Sequence, residues 1–268
     1  MSGKLVYLWS LTVILGSSAL LGACIKENRH NCPCILTVPI AGAQQSVAGR
    51  EEAILSVAFG NFLLRDRFLL ESCREGVRRM EVPRGECNLL VASGLEEERT
   101  LHDSLYVLPG SQWGKVMLAS CFLDCNADEL EAGPDYHKEY CTLNIALEGV
   151  PLNGETSLEF EVRASCSGVR MTDGSPIEGT YSSKAIATVF PAMFTVRLPR
   201  QNSSGIWLDV LKGDMVVDSL DLGEMLREES FSWAKNDLDD VFLRLDYSKM
   251  TVGLDIVPWN SNEMNVVI

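Results

Sequence analysis

The chain is poor in the residues that enzymes most often use. It has three histidines in 268 residues, His30, His102 and His137, at scattered positions. It has no His-Glu-x-x-His, no Gly-x-Ser-x-Gly and no Gly-x-x-x-x-Gly-Lys, so the common signatures of zinc proteases, serine hydrolases and phosphate-cradling loops are missing. A dispersed triad would be recognised only by geometry, but the pattern predicts a non-enzymatic protein without a cofactor. Basic residues are also scarce, 23 against 37 acidic. An acidic chain repels nucleic acid and anionic lipid, which excludes both as partners through a basic face. Aromatics make up only 7% of the sequence. After residue 21, no apolar run approaches the ~18 residues that span a bilayer.

The one long apolar stretch is at the start. Lys4 precedes Leu5 to Leu21, and Leu21-Gly22-Ala23-Cys24 follows. A positive residue, a hydrophobic run and small residues before a cut site describe a secretory signal, which is not part of the fold. Leu-Gly-Ala-Cys resembles the lipobox of bacterial lipoproteins. That resemblance implies cleavage before Cys24 and acylation of its sulfur and new amine, and several acyl chains anchor far better than one. Removing residues 1–23 takes away one charge, Lys4, leaving 245 residues with 22 basic and 37 acidic side chains. That length supports one large or two ordinary domains. At 46% hydrophobic and 22% charged, the composition is that of a globular chain.

Eight cysteines remain: Cys32, Cys34, Cys73, Cys87, Cys121, Cys125, Cys141 and Cys166. An even number in an exported protein predicts disulfides, though eight allow 105 connectivities. Neither Cys32-Pro33-Cys34 nor Cys121-x-x-x-Cys125 is a C-x-x-C pair, and the histidines are scattered, so a structural zinc site is disfavoured. The expectation is two or three disulfides and some free cysteines. Cys87 and Cys166 fall in strand-like stretches that suit buried thiols.

The rest of the chain alternates with period two. Leu158, Phe160 and Val162 alternate with Glu159, Glu161 and Arg163, as in a half-buried strand. Leu143, Ile145 and Leu147 do the same, as do Val252, Leu254 and Ile256. Weaker strands are predicted over 34–40, 53–59, 61–70, 77–82, 86–93, 115–123, 184–197, 206–211 and 241–247. Turn signals separate them at Pro83-Arg84-Gly85, Asn153-Gly154, Asp173-Gly174 and Lys212-Gly213-Asp214. A single short helix is predicted from Asp221 to Glu229, with Leu222, Met225 and Leu226 at i, i+3, i+4 behind an Asp221 cap. Many short strands and one helix predict an all-β protein of antiparallel sandwiches. The polar stretch Asn126 to Glu139 places a boundary between two units, 32–126 and 127–268, with 24–31 as a stem.

Several segments then form a recognisable set. The anchor cysteine is followed by Asn31-Cys32-Pro33-Cys34-Ile35-Leu36, by Phe59-Gly60-Asn61-Phe62-Leu63-Leu64, and by Arg79 to Ala92 with its Val82-Pro83-Arg84-Gly85 turn. The chain closes on Leu254-Asp255-Ile256-Val257-Pro258-Trp259-Asn260 and Val266-Val267-Ile268. Together these resemble the FimB-like fimbrial anchor lipoproteins of Bacteroidetes. The resemblance implies two tandem transthyretin-like β-sandwiches on a lipidated stem in the outer membrane, exposed at the cell surface. It implies a subunit that holds the base of a fimbrium and limits its length, with a fimbrial stalk subunit as partner, joined by strand addition. The nine residues after Trp259 leave little chain for a long donor appendage. Ile25-Lys26-Glu27 resembles the surface-export tag of such lipoproteins, though charged residues there also suit a solvated linker.

Further motifs are short. Asp124-x-Asn126-x-Asp128 resembles the start of a calcium loop, but Glu129 sits where the turn requires glycine, so an acidic linker is expected there. Asp103-Ser104-Leu105 and Asp218-Ser219-Leu220 resemble O-glycosylation acceptors of Bacteroidetes, with Ser104 and Ser219 as the sites. Strand edges are the expected docking elements, the candidates being the first strand, Ile35 to Ile40, and the last, Val252 to Trp259. Two alternatives stand beside the anchor reading. One is a glycan-binding surface lipoprotein that stacks sugars on Trp113 and Trp233; the other is an accessory or tip subunit.

Overall fold

The computed structural model describes residues 32–40, 51–149, 158–187, 192–213, 215–246, 248–249 and 251–259. Cys24, the signal segment, Ile25-Lys26-Glu27 and Val266 to Ile268 lie outside them. In chain order the strands of the first half are β1 (Cys34–Pro39), β2 (Glu52–Phe59), β3 (Phe62–Leu69), β4 (Val77–Val82), β5 (Glu86–Leu95), β6 (Arg99–Leu101), β7 (Ser104–Tyr106), β8 (Met117–Asp124), β9 (Glu129–Glu131) and β10 (Tyr136–Lys138). The second half contributes β11 (Tyr140–Glu148), β12 (Leu158–Arg170), β13 (Pro176–Ala187), β14 (Ala192–Pro199), β15 (Trp207–Lys212) and β16 (Met215–Asp221). The helix α1 (Leu222–Glu228) and then β17 (Asp240–Asp246) and β18 (Thr251–Val257) complete it. Among the described residues the architecture is all-β with one short α-helix, as the alternation predicts.

The strands form four sheets. A three-stranded sheet, β4-β1-β9, faces a five-stranded one, β10-β8-β5-β2-β3. A four-stranded sheet, β14-β11-β17-β18, faces the largest, β16-β15-β12-β7-β6, to which β13 adds by pairing with β12. Period two explains the layers. In β11, Leu143, Ile145 and Leu147 are buried while Thr142, Asn144 and Ala146 are half-exposed, so one face meets the core and the other water.

β2 and β5 depart from simple alternation. Both are buried on both faces along most of their length. Ala53, Leu55 and Val57 join Leu36, Val38, Leu89 and Val91 in the first core. Their neighbour Ile54, with Leu90, Ala92 and Trp113, joins the core shared with Leu143, Phe160 and Val241. The five-stranded sheet is thus an inner layer between two cores, and its central strands β2 and β5 are buried on both faces for that reason.

The expected boundary after residue 126 is crossed in both directions. β6 and β7 precede it but belong to the largest sheet, β7 pairing with β12. β9 and β10 follow it but pair back with β1 and β8. Gly168 permits the first crossing, because a Cβ there would lie 2.0 Å from the Leu105 carbonyl oxygen. Ser56 Oγ donates to the Met171 carbonyl at 2.8 Å, a buried polar bond across the shared layer.

α1 forms where predicted. Asp221 accepts the Glu224 N–H at 2.9 Å, an N-cap bond. Leu222 and Leu226 are buried. The single strand expected over 184–197 is instead the end of β13 and most of β14. The predicted bridges are not found: all eight cysteines, Cys32, Cys34, Cys73, Cys87, Cys121, Cys125, Cys141 and Cys166, are free thiols in this structure. Cys141 and Cys166 are buried on β11 and β12, where they fill core positions as small hydrophobes.

Candidate partner-binding edge

Two edges were candidates from sequence, and the structure separates them. β1 pairs with β4 along all six residues and with β9 on its other side. Leu36, Val38 and Ile40 point into the core, as expected from the alternation. The first strand is therefore the centre of its sheet and offers no open side. The last strand differs: β18 pairs with β17 over seven continuous positions, Asp240↔Val257 to Asp246↔Thr251, and among the described residues has no second neighbour.

β16, across a groove from it, is another strand that ends a sheet, as β3 and β14 also are. Among the described residues β16 pairs only with β15, and Met215, Val216 and Val217 are all more than half exposed. Sequence reasoning missed this strand because three consecutive apolar residues break the period-two signal. The register slips between Val210 and Leu211, which leaves Val217 without a cross-strand partner. A bulge of this kind bends and twists an edge and blunts it against pairing. β18 has no slip, so it is the straighter template.

Between these edges the two sheets part. Leu208, Val210, Leu220, Leu245 and Val252 line a cavity of about 120 Å³, together with Asp218, Asp246 and Thr251. An apolar slot beside an unpaired strand can accept an extended peptide, its main chain pairing with the edge and alternate side chains filling the slot. One lining carboxylate, Asp246, is fixed. Asp246 accepts from Lys249 Nζ at 2.7 Å and from Ser248 Oγ at 2.6 Å, and these bonds hold its carboxyl down at about 2. Asp209, on β15, is nearly buried. Burial opposes its ionisation, but bonds from Arg163 and from Ser219 Oγ prevail and hold its carboxyl below the ordinary value.

The other sequence candidates are dispersed. Ser104 opens β7, half-buried and 3.4 Å from the Asp103 carboxylate. Ser219 sits on the exposed side of β16, its hydroxyl donating to Asp209 at 2.6 Å. Asp124 accepts from Asn126 N and Nδ2 and Asp128 pairs with Arg84, so the acidic stretch is held by protein groups. Among the described residues, no group of three or more His, Cys, Asp or Glu is arranged to hold a metal, and no helix is long and apolar enough to cross a membrane. The tryptophan platform is overturned. Trp113 is fully buried, its indole N–H donating to the Glu139 carbonyl at 3.3 Å. Trp233 packs edge-on against Phe231. Trp113 lies in a segment without strand or helix, yet its side chain is turned into the core.

The fold is that of an all-β sandwich protein whose last described strand ends its sheet. Solved structures of the same fold include the fimbrial anchor protein Mfa2 from Porphyromonas gingivalis, 11% identical, TM-score 0.56, covering 85% of this chain and 98% of that one. A proposed polysaccharide-binding protein from Bacteroides thetaiotaomicron is also 11% identical, TM-score 0.57, covering 83% and 95%. A proposed adhesin from Bacteroides ovatus is 13% identical, TM-score 0.52, covering 87% and 96%. No protein-family model and no curated sequence relative matches the chain.

Proposed function

We propose that the chain is a non-enzymatic, lipid-anchored subunit of a surface fimbrium. It attaches the fimbrial base to the outer membrane through Cys24 and limits filament length by ending the assembly. The stalk subunit adds a strand beside β18, its alternate side chains entering the slot between the sheets. The observation that carries this reading is the straight, unpaired β18 edge flanking an apolar groove. Two further points support it: Leu21-Gly22-Ala23-Cys24 resembles a lipobox, and a protein of the same fold is a fimbrial anchor. The glycan-binding alternative loses its main support with the burial of Trp113.

The test is Cys24→Ala in the native host, with imaging of cells and medium. Filaments lost from the cells and recovered free in the medium are the expected result. Normally attached filaments would refute the anchor, and attached filaments carrying this protein along or at their tips would identify an accessory subunit.

A further inference from the structure

Three thiols meet at one corner of the first sandwich. Cys34 opens β1, Cys87 lies on β5, and Cys125 follows the last residue of β8. All three are buried in the same core. The Sγ atoms of Cys87 and Cys125 lie 3.5 Å apart across 38 residues of chain, and the Cys34 thiol also lies within reach of Cys125. The backbone sets this up. Cys87 faces Leu123 in the β5–β8 ladder, and the Cys125 N–H donates to the Gly85 carbonyl at 2.9 Å. Cys125 is thereby held two residues beyond the cross-strand partner of Cys87, at the point where the chain leaves the sheet.

The corner is also where the stem enters the fold. Arg84 donates to the carbonyls of Cys32 and Asn126 and pairs with Asp128. The Ile35 N–H donates to the Asp128 carbonyl. A pull on the stem would therefore be borne by this cluster of bonds between β1, the Arg84 turn and the segment joining β8 to β9.

We propose that Cys87 and Cys125 form an intramolecular disulfide in the exported protein, with Cys34 remaining a thiol beside it. The oxidant is a disulfide, either that of a thiol–disulfide oxidoreductase or oxidised glutathione. One cysteine thiolate attacks it, forming a mixed disulfide and releasing one thiolate. The second cysteine then attacks the protein sulfur of that mixed disulfide and expels the other. Two electrons pass to the oxidant, which leaves as two thiols after taking up the two protons lost by the cysteines. Burial pushes the Cys125 thiol up to about 12 and raises those of Cys87 and Cys34. Since the thiolate is the nucleophile, the bridge forms during folding, before the corner closes. A small oxidant added to the folded, reduced protein should react slowly.

The test uses the full-length protein from the membrane fraction, alkylated with iodoacetamide as the cells are lysed. Non-reducing digestion and mass spectrometry should find the Cys87 and Cys125 peptides linked and Cys34 alkylated. Three alkylated cysteines, or a Cys34–Cys125 link, would overturn the proposal. A second measurement compares unfolding of the same protein refolded in oxidised or reduced glutathione. The oxidised form should melt higher by on the order of 10 °C, and Cys34→Ala should keep that gap. Loss of the gap in Cys34→Ala would also overturn the pairing.

Discussion

At the scale of single residues, Lys138 is the most demanding side chain in the molecule. Its ammonium is fully buried, a position lysine rarely occupies without partners. It donates to the Leu238 carbonyl at 2.8 Å and to Asp240 Oδ1 at 2.6 Å. It also lies 4.7 Å from the ring centroids of both Tyr140 and Trp259. The residue ends β10, so one cation joins a strand of the first sandwich to the strand after it and to the chain beyond β18. Removing one partner of a buried pair costs more than the pair contributes, because the other charge is stranded. Lys138→Ala should therefore destabilise the protein by about 3–5 kcal/mol in denaturant titration. Lys138→Met combined with Asp240→Asn should recover much of that loss, since volume is kept and neither charge remains. A Lys138→Ala cost near zero would mean that the ammonium is not desolvated in solution. Glu139 beside it follows the same logic: burial raises its carboxyl, and Arg200 opposes that with bonds of 2.6 and 2.9 Å.

At the scale of strands and helices, the open edge gives the sharpest test. Val252 is the first apolar residue of β18, 43% exposed and part of the groove wall. A lysine there leaves the β17–β18 ladder intact and costs little stability, because surface changes away from packed contacts stay within about 0.5 kcal/mol. It places a charge where an incoming strand would bury an apolar side chain. Val252→Lys should keep the wild-type melting temperature within about 2 °C. It should weaken capture of the stalk subunit at least ~10-fold in a pull-down titration, the equivalent of about 1.4 kcal/mol. Unchanged capture would move the docking site away from β18. This edge was only half legible in the sequence. The alternation of Val252, Leu254 and Ile256 gave the strand, but an edge is a property of sheet order, which one sequence does not state. The same limit left β1 as a candidate, although β4 and β9 cover both its sides. Longer alternating strands such as β11 and β12 were readable, as was α1 from its Asp221 cap and apolar spacing. β6, β7, β9 and β10 were not, for each is three residues long and shows no full period. Their pairing comes from the chains they meet. The thiol pairing was illegible for a related reason: counting cysteines gives parity and compartment, while bridging depends on which sulfurs the sheet register brings together.

At the scale of the whole molecule, the tandem arrangement is less separable than the polar stretch after residue 126 suggests. The five-stranded sheet contributes to both cores, since Ile54, Leu90 and Ala92 face one way while Leu55, Leu89 and Val91 face the other. The β6–β7 hairpin extends from the first half into the largest sheet, and β9 and β10 return from beyond the boundary to the first. Neither half can unfold without uncovering the inner face of the other. Arg197 strengthens the junction, donating to the Trp113 carbonyl at 2.8 Å and pairing with Glu96. Under the proposed anchoring role, force on the stem would be shared by both cores. Separate domains on a flexible linker would show two melting transitions, whereas interleaved ones share a single cooperative unit. The mature chain should give one calorimetric transition, with the calorimetric enthalpy equal to the van't Hoff value. A fragment ending at residue 126 lacks β9 and β10, leaving β1 unpaired on one side and β8 an exposed edge, and should fail to give a cooperative transition alone. Two resolved transitions in the intact chain, or a cooperatively folding 32–126 fragment, would show that the crossings contribute little and that the halves are independent.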